Sequence, residues 1–272
     1  MRRSVVFPLL TLSVTSLGLG AGPVVNPRVF SPGEELRYAV RWQFLRLGTL
    51  IVRTTCDSTS GSPGEARITL EVESNPDLAF VSIREHNESV MNTATLYSSS
   101  YTGRHMSGDE STDISRVYDT ARRVMTFRVA DARTHCVLRS DTVRQCTPYV
   151  EGPSLLFHTR AIGRSLGEFR VPTCVNENVS TTILNFEGEI EEVEIDAVRN
   201  PVRTRYFTGY AEWTGASSAG VSGEFAGWLS DDEASVPIKA ELKVVLGSIT
   251  LELESWHRTG WLPPTGLTAE NR

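Results

Sequence analysis

The stretch Glu35-Leu36-Arg37-Tyr38-Ala39-Val40-Arg41-Trp42-Gln43-Phe44 decides the fold class. Leu36, Tyr38, Val40, Trp42 and Phe44 alternate with Glu35, Arg37, Ala39, Arg41 and Gln43. A period of two gathers the apolar set on one face and leaves a polar face in water, the pattern of a half-buried β-strand. The same alternation returns at 66–73, at 192–197 and at 238–244. After a turn at Leu246-Gly247 it returns again at 249–254. Half-buried strands of this kind belong to antiparallel sheet. About a dozen such strands at short spacing predict an all-β fold, a single domain whose curved sheet is barrel-like or a sandwich. One short helix is predicted. Ser154 is its expected N-cap, Leu155 to Ile162 its body and Gly163 its stop.

The chain has 272 residues, 40% of them hydrophobic, enough for a proper core. It carries 33 Asp and Glu against 27 Lys and Arg, a net charge of −6. That balance argues against nucleic acid as a partner, since phosphate binding needs a basic patch. Lys239 and Lys243 are the only lysines, an arginine bias that the codons of a GC-rich genome account for.

The N-terminus reads as an address. Met1-Arg2-Arg3 is a short positive region, Ser4 to Leu19 is mostly apolar, and the small residues Gly20-Ala21-Gly22 follow. This is the layout of a secretory signal peptide spanning 1–21, cut after Gly20 or Ala21. The apolar run is interrupted by Ser4, Pro8, Thr11, Ser13, Thr15 and Ser16, and a membrane span needs roughly 20 apolar residues. The mature chain is therefore expected to be exported and soluble, in the periplasm or outside the cell, with no transmembrane segment. A β domain over 22–262 and a flexible tail over 263–272 complete the expected organisation.

Four cysteines suit that compartment: Cys56, Cys136, Cys146 and Cys174. Cys136 and Cys146 flank a stretch that reads as strand, a turn at Ser140-Asp141-Thr142, and strand. In a hairpin centred on Asp141 the two fall opposite each other, and cross-strand neighbours lie ~4.5–5.5 Å apart, within bridging range. A Cys136–Cys146 disulfide is predicted, leaving Cys56–Cys174 as the second. A zinc site would need close ligand pairs such as C-x-x-C, and none occurs.

Local catalytic signatures are absent. His86, His105, His135, His158 and His257 are far apart in sequence, with no H-E-x-x-H among them. There is no G-x-S-x-G elbow and no P-loop. No cofactor and no metal is expected. Two polar clusters stand out. In Arg84-Glu85-His86-Asn87-Glu88-Ser89, a strand puts Arg84, His86 and Glu88 on one face and Glu85, Asn87 and Ser89 on the other. In Trp228-Leu229-Ser230-Asp231-Asp232-Glu233, the carboxylates suit turn chemistry or acid–base work. Arg84, Glu88, Trp228 and Asp231 are the candidate binding residues. Tyr38, Trp42 and Phe44 are the candidate apolar lining.

The residues also resemble a known group. Phe30-Ser31-Pro32-Gly33-Glu34-Glu35-Leu36-Arg37-Tyr38-Ala39-Val40-Arg41-Trp42, then Gly48, is similar to the opening of the bacterial DUF3108 family. Arg84 with Glu88-Ser89, Pro153-Ser154-Leu155-Leu156-Phe157 ending near Arg160, Trp228 to Asp232, Pro237-Ile238-Lys239 and Gly247-Ser248-Ile249 continue the likeness. The resemblance implies an exported, mostly antiparallel β protein and supplies no catalytic residues. Three functions are compatible with all this. The first is a non-catalytic envelope protein binding an apolar ligand, such as a lipid, or a protein partner through its curved sheet. The second is an assembly factor acting through its surface. The third is a hydrolase using dispersed carboxylates such as Asp231 and Asp232.

Overall fold

The computed structural model describes residues 23–56, 64–78, 82–108, 110–175, 178–212, 223–244 and 247–266. The expected signal peptide lies outside the described residues, as does the end of the expected tail from residue 267. After a 3-10 turn at Pro27–Val29 come eight strands: β1 (Glu34–Trp42), β2 (Leu45–Thr55), β3 (Glu65–Ser74), β4 (Ile83–Asn92), β5 (Ser98–Ser107), β6 (Glu110–Asp119), β7 (Val124–Asp131) and β8 (Val137–Arg144). The helix α1 (Gly152–Ile162) follows. Seven more strands follow among the described residues: β9 (Gly167–Val175), β10 (Asn178–Phe186), β11 (Ile190–Val193), β12 (Val202–Ala211), β13 (Gly223–Ser230), β14 (Pro237–Val244) and β15 (Gly247–His257).

All fifteen strands belong to one antiparallel sheet, which is not closed. Its order runs β8-β7-β6-β5-β4-β3-β2-β1-β15-β14-β13-β12-β10-β9, with β11 beside β12. The first and last strands therefore meet in the middle, where Leu36 opposes Trp256 and Val40 opposes Leu251. From that seam the chain winds outward in two meanders. The segment between β8 and α1 ties the two arms together. The Ser98 N–H donates to the Tyr149 carbonyl (2.9 Å), the Val150 N–H to Pro172 (3.0 Å), and the Cys174 N–H to the Val150 carbonyl (2.8 Å). With these bonds made, the backbone of a buried crossing has partners on both sides.

The alternation that predicts β1 also fills the core. Leu36, Tyr38, Val52, Ile68, Met91, Phe157, Ile162, Leu229, Ile238 and Leu253 are buried in one cluster. Phe44 departs from the pattern. It sits in the turn between β1 and β2, 94% exposed, next to Gln43 at φ 54°. The expected lining of Tyr38, Trp42 and Phe44 is thus dispersed, because the hairpin turns one residue before Phe44 can join the face. The 192–197 alternation yields only the short β11, after which Ile195 still packs into the core.

The helix starts earlier than its expected cap. Glu151 is the N-cap, and the Ser154 hydroxyl accepts the Glu151 N–H at 2.8 Å from within the first turn. Pro153 is the reason: a first-turn proline lacks only an N–H that would have had no helical partner, so the helix begins before it. At the far end of α1, Arg160 is fully buried. It grips Glu34 through two hydrogen bonds (2.6 and 3.1 Å) and donates to the Ser235 and Ala234 carbonyls (3.2 and 3.1 Å). Arg258 also pairs with Glu34. Burial alone would raise the Glu34 pKa, but the two guanidiniums outweigh it and hold the carboxyl below its ordinary value.

The expected disulfides are a correction. Val137 to Arg144 is not a hairpin but one strand, in which Asp141 opposes Phe127 of β7. Cys136 and Cys146 therefore lie at opposite ends of β8, which spans about 25 Å at ~3.3 Å per residue, far beyond bridging distance. No disulfide joins the four cysteines. Cys146 and Cys174 are buried in a second cluster with Tyr118, Met125, Phe127 and Tyr149, while Cys56 packs at the edge of the main core. The chain beyond residue 262 is anchored at first: Pro264 accepts the Arg203 N–H at 2.7 Å and Thr265 bridges to Val202.

Candidate functional site

Antiparallel pairing aligns opposite residues on one face, so rows of side chains cross the sheet. One row carries Ser89, Tyr101, Arg116 and Phe127, the next Leu70, Asn87, Gly103 and Ile114, and a third Glu85, His105 and Thr112. All of these residues except Ser89 and Phe127 line a cleft of about 410 Å³, covered by Glu151, Gly152, Pro153 and Leu155 of the helix entry and by Thr173 to Val175 of β9. Gly103 leaves room for the Tyr101 side chain to lie across its strand. A Cβ there would come within 2.5 Å of the Tyr101 hydroxyl and 2.8 Å of Asn87 Oδ1.

The cleft has apolar walls and a polar floor. Leu70, Ile114, Pro153, Leu155 and Val175 supply the walls. Across the floor runs a hydrogen-bonded chain. His105 Nδ1 lies 2.9 Å from Glu85 Oε1, Asn87 Nδ2 donates to Glu85 Oε2 at 3.3 Å, and the Tyr101 hydroxyl donates to Asn87 Oδ1 at 2.8 Å. The buried Arg116 guanidinium stacks over the Tyr101 ring at 4.8 Å. Burial pushes the Tyr101 hydroxyl up to about 12, so it stays a proton donor.

Glu151 closes the floor. Its Oε2 accepts from the hydroxyls of Ser89 (3.4 Å), Ser98 and Ser154 (3.1 Å). Its buried Oε1 has no hydrogen-bond partner among the described residues. Burial pushes this carboxyl from 4.5 to about 7, against the lowering pull of Ser98, Arg116, Ser154 and Ser89. A buried oxygen without a partner is costly unless something donates to it.

The four sequence candidates lie elsewhere. Arg84 pairs with Glu73 at 2.6 Å and Glu88 pairs with Arg67, both on the face turned away from the cleft. The Trp228 indole donates to Glu191 at 2.7 Å, and Lys239 lies 5.2 Å from the Trp228 ring. Asp231 pairs with Arg203 (2.7 Å) and Arg205 (2.6 Å). Asp232 holds its own turn through Ser230, Ala234 and Ser235, and accepts the Trp261 indole N–H at 2.7 Å. Six strand steps separate β4 from β13, about 29 Å along the sheet at ~4.8 Å per step. The two clusters do not form one site. The cleft instead uses the opposite face of the first cluster, Glu85, Asn87 and Ser89, whose signal was present in the same six residues. Glu151 carried the further signal of an acidic residue directly before Gly152-Pro153.

Among the described residues no group of three or more His, Cys, Asp and Glu could hold a metal ion, and no helix is long and apolar enough to cross a membrane. The architecture defines a class: an antiparallel, barrel-like single sheet, unclosed, with one helix and an interior cleft. The chain belongs to the DUF3108 family, proteins of unknown function, whose pattern matches residues 37–254. No curated protein matches it. A solved structure described as a beta-barrel-like protein of domain of unknown function DUF1849, from Brucella abortus, shares the fold. It has a TM-score of 0.53 at 6% identity, over 84% of this chain and 98% of that one.

Proposed function

We propose that this is an exported, non-catalytic binding protein of the bacterial envelope, whose interior cleft takes a ligand with an apolar body and one hydrogen-bond donor. The observation that carries the reading is an apolar-walled cleft of about 410 Å³ lined by Glu151, whose buried Oε1 has no hydrogen-bond partner among the described residues. That size and that mixture of walls and floor are those of small-molecule sites, which run about 300–1,000 Å³. A hydroxyl, amide or ammonium on the ligand would supply the missing donor, and Leu70, Ile114 and Leu155 would cover its apolar part. A larger groove of about 650 Å³, lined by Ile183, Tyr206, Tyr210 and Phe225 among others, has no buried polar atom left without a partner among its described lining residues. Export rests on the signal-like N-terminus.

Native mass spectrometry of protein purified from its own host tests the proposal. The expected result is a bound species of a few hundred daltons, roughly what a pocket of this size encloses. Leu70→Trp, which enlarges a part-buried side chain lining the cleft, should remove it while circular dichroism stays unchanged. Protein that carries nothing, or a bound species indifferent to Leu70→Trp, would refute the cleft as the site.

A further inference from the structure

β8 is the last strand at one end of the sheet, and among the described residues only β7 pairs with it. Its side chains are exposed on both faces, Val137 at 52% and Leu138 at 63%. An edge of this kind offers a row of backbone donors and acceptors to another strand. The sequence along it, Val137-Leu138-Arg139-Ser140-Asp141-Thr142-Val143, is complementary to itself in charge about Ser140, with a cation on one side and an anion on the other.

We propose that two copies of this chain pair antiparallel through β8 about a two-fold axis at Ser140. The axis sets Ser140 opposite the partner's Ser140, Arg139 opposite the partner's Asp141, and Leu138 opposite the partner's Thr142. Directly opposed residues of an antiparallel pair share a face, so the symmetry makes two Arg–Asp pairs at once. Neighbouring registers lack this. An axis at Asp141 opposes two carboxylates, and an axis at Arg139 opposes two guanidiniums. The Asp141 carboxylate now holds the Thr142 N–H at 2.7 Å, and pairing transfers that N–H to a partner carbonyl and frees the carboxylate for Arg139. The β7–β8 register shifts between Val129 and Ala130, leaving Leu138 as a bulge that ends the regular strand. The interface therefore runs only from Leu138 to Thr142. So small a contact falls below the ~1,000 Å² of a stable interface, and a dissociation constant of order 100 µM is expected.

Sedimentation equilibrium of the purified protein at low salt, from about 10 to 500 µM, measures it. Arg139→Asp or Asp141→Arg puts like charges opposite each other at both symmetry-related places, and each should weaken the dimer about tenfold or more. The double exchange should return it to within about threefold of the native value. In a Cys136→Ser background, Ser140→Cys should form an intermolecular disulfide on oxidation and Thr142→Cys should not, since only the former residue meets itself at the axis. A monomer at every concentration would overturn the proposal and leave the charges as devices that keep the edge unpaired. A dimer untouched by the reversals, or one the double exchange fails to restore, would overturn it equally. None of these outcomes bears on whether the cleft binds a ligand.

Discussion

Replacing Glu151 by glutamine tests whether the floor of the cleft is as dry as its geometry implies. Burial raises the carboxyl from 4.5 to about 7, more than Ser98, Arg116, Ser154 and Ser89 pull it down. A raised folded-state pKa means that folding takes up a proton. The associated stability is fully present below pH 4.5 and is lost as the pH rises through about 7. At about 1.4 kcal/mol per tenfold change in proton affinity, the native protein should lose about 2.5 kcal/mol between pH 5 and pH 8 from this group alone. A glutamine side chain cannot titrate, so the Glu151→Gln variant lacks that loss. Any change in the hydrogen bonds to the three serines adds a constant that does not vary with pH. Urea unfolding followed by tryptophan fluorescence, on both proteins at pH 5, 6, 7 and 8, gives the difference directly. The variant should gain about 2.5 kcal/mol relative to the native protein across that range. A difference flat to within about 0.5 kcal/mol would refute the reasoning and mean that water or a cation reaches Oε1.

Other consequences follow from the same geometry. Glu34→Ala strands the fully buried Arg160 guanidinium; breaking such a pair costs about 3–5 kcal/mol, a fall of roughly 10 °C in Tm by scanning calorimetry, and a fall below about 2 °C would show that water already reaches the pair. Because the Glu34 pKa is lowered, its stabilisation is present above its unfolded value and disappears as acid carries the pH through the folded one; the native protein should therefore lose more stability on acidification than Glu34→Gln does. Thiol labelling of the native fold should modify the exposed Cys136 fast and the buried Cys146 and Cys174 only on unfolding. Fewer than four reactive thiols in denaturant without reductant would mean that disulfides form in the mature protein.

Much of the fold was legible because a half-buried antiparallel strand writes its geometry into alternate residues. Leu36 and Tyr38, like Ile238 and Leu253, were readable as core from spacing alone, and they are core. Misreadings arose where one residue decides between turn and strand. Ser140-Asp141-Thr142 has turn composition, yet these residues lie on the outermost strand, where polar side chains face water and β7 alone fixes the backbone. Phe44 continues the alternation by type but sits in the turn, where it is exposed. The cleft was half legible. The 84–89 segment announced two polar faces, but which face turns inward depends on register with β3 and β5, and that is not local information. Glu151 was hidden for a related reason: its burial comes from β4, β5 and β9, which meet the helix entry only after the sheet curves.

The central claim is that Glu151 Oε1 awaits a donor inside an apolar-walled cleft. A high-resolution crystal structure of protein purified from its own host tests it most directly. The account predicts continuous density along Leu70, Ile114 and Leu155 with a donor atom about 2.7–3.2 Å from Glu151 Oε1. A cleft holding only scattered water, with Oε1 hydrated, would contradict it.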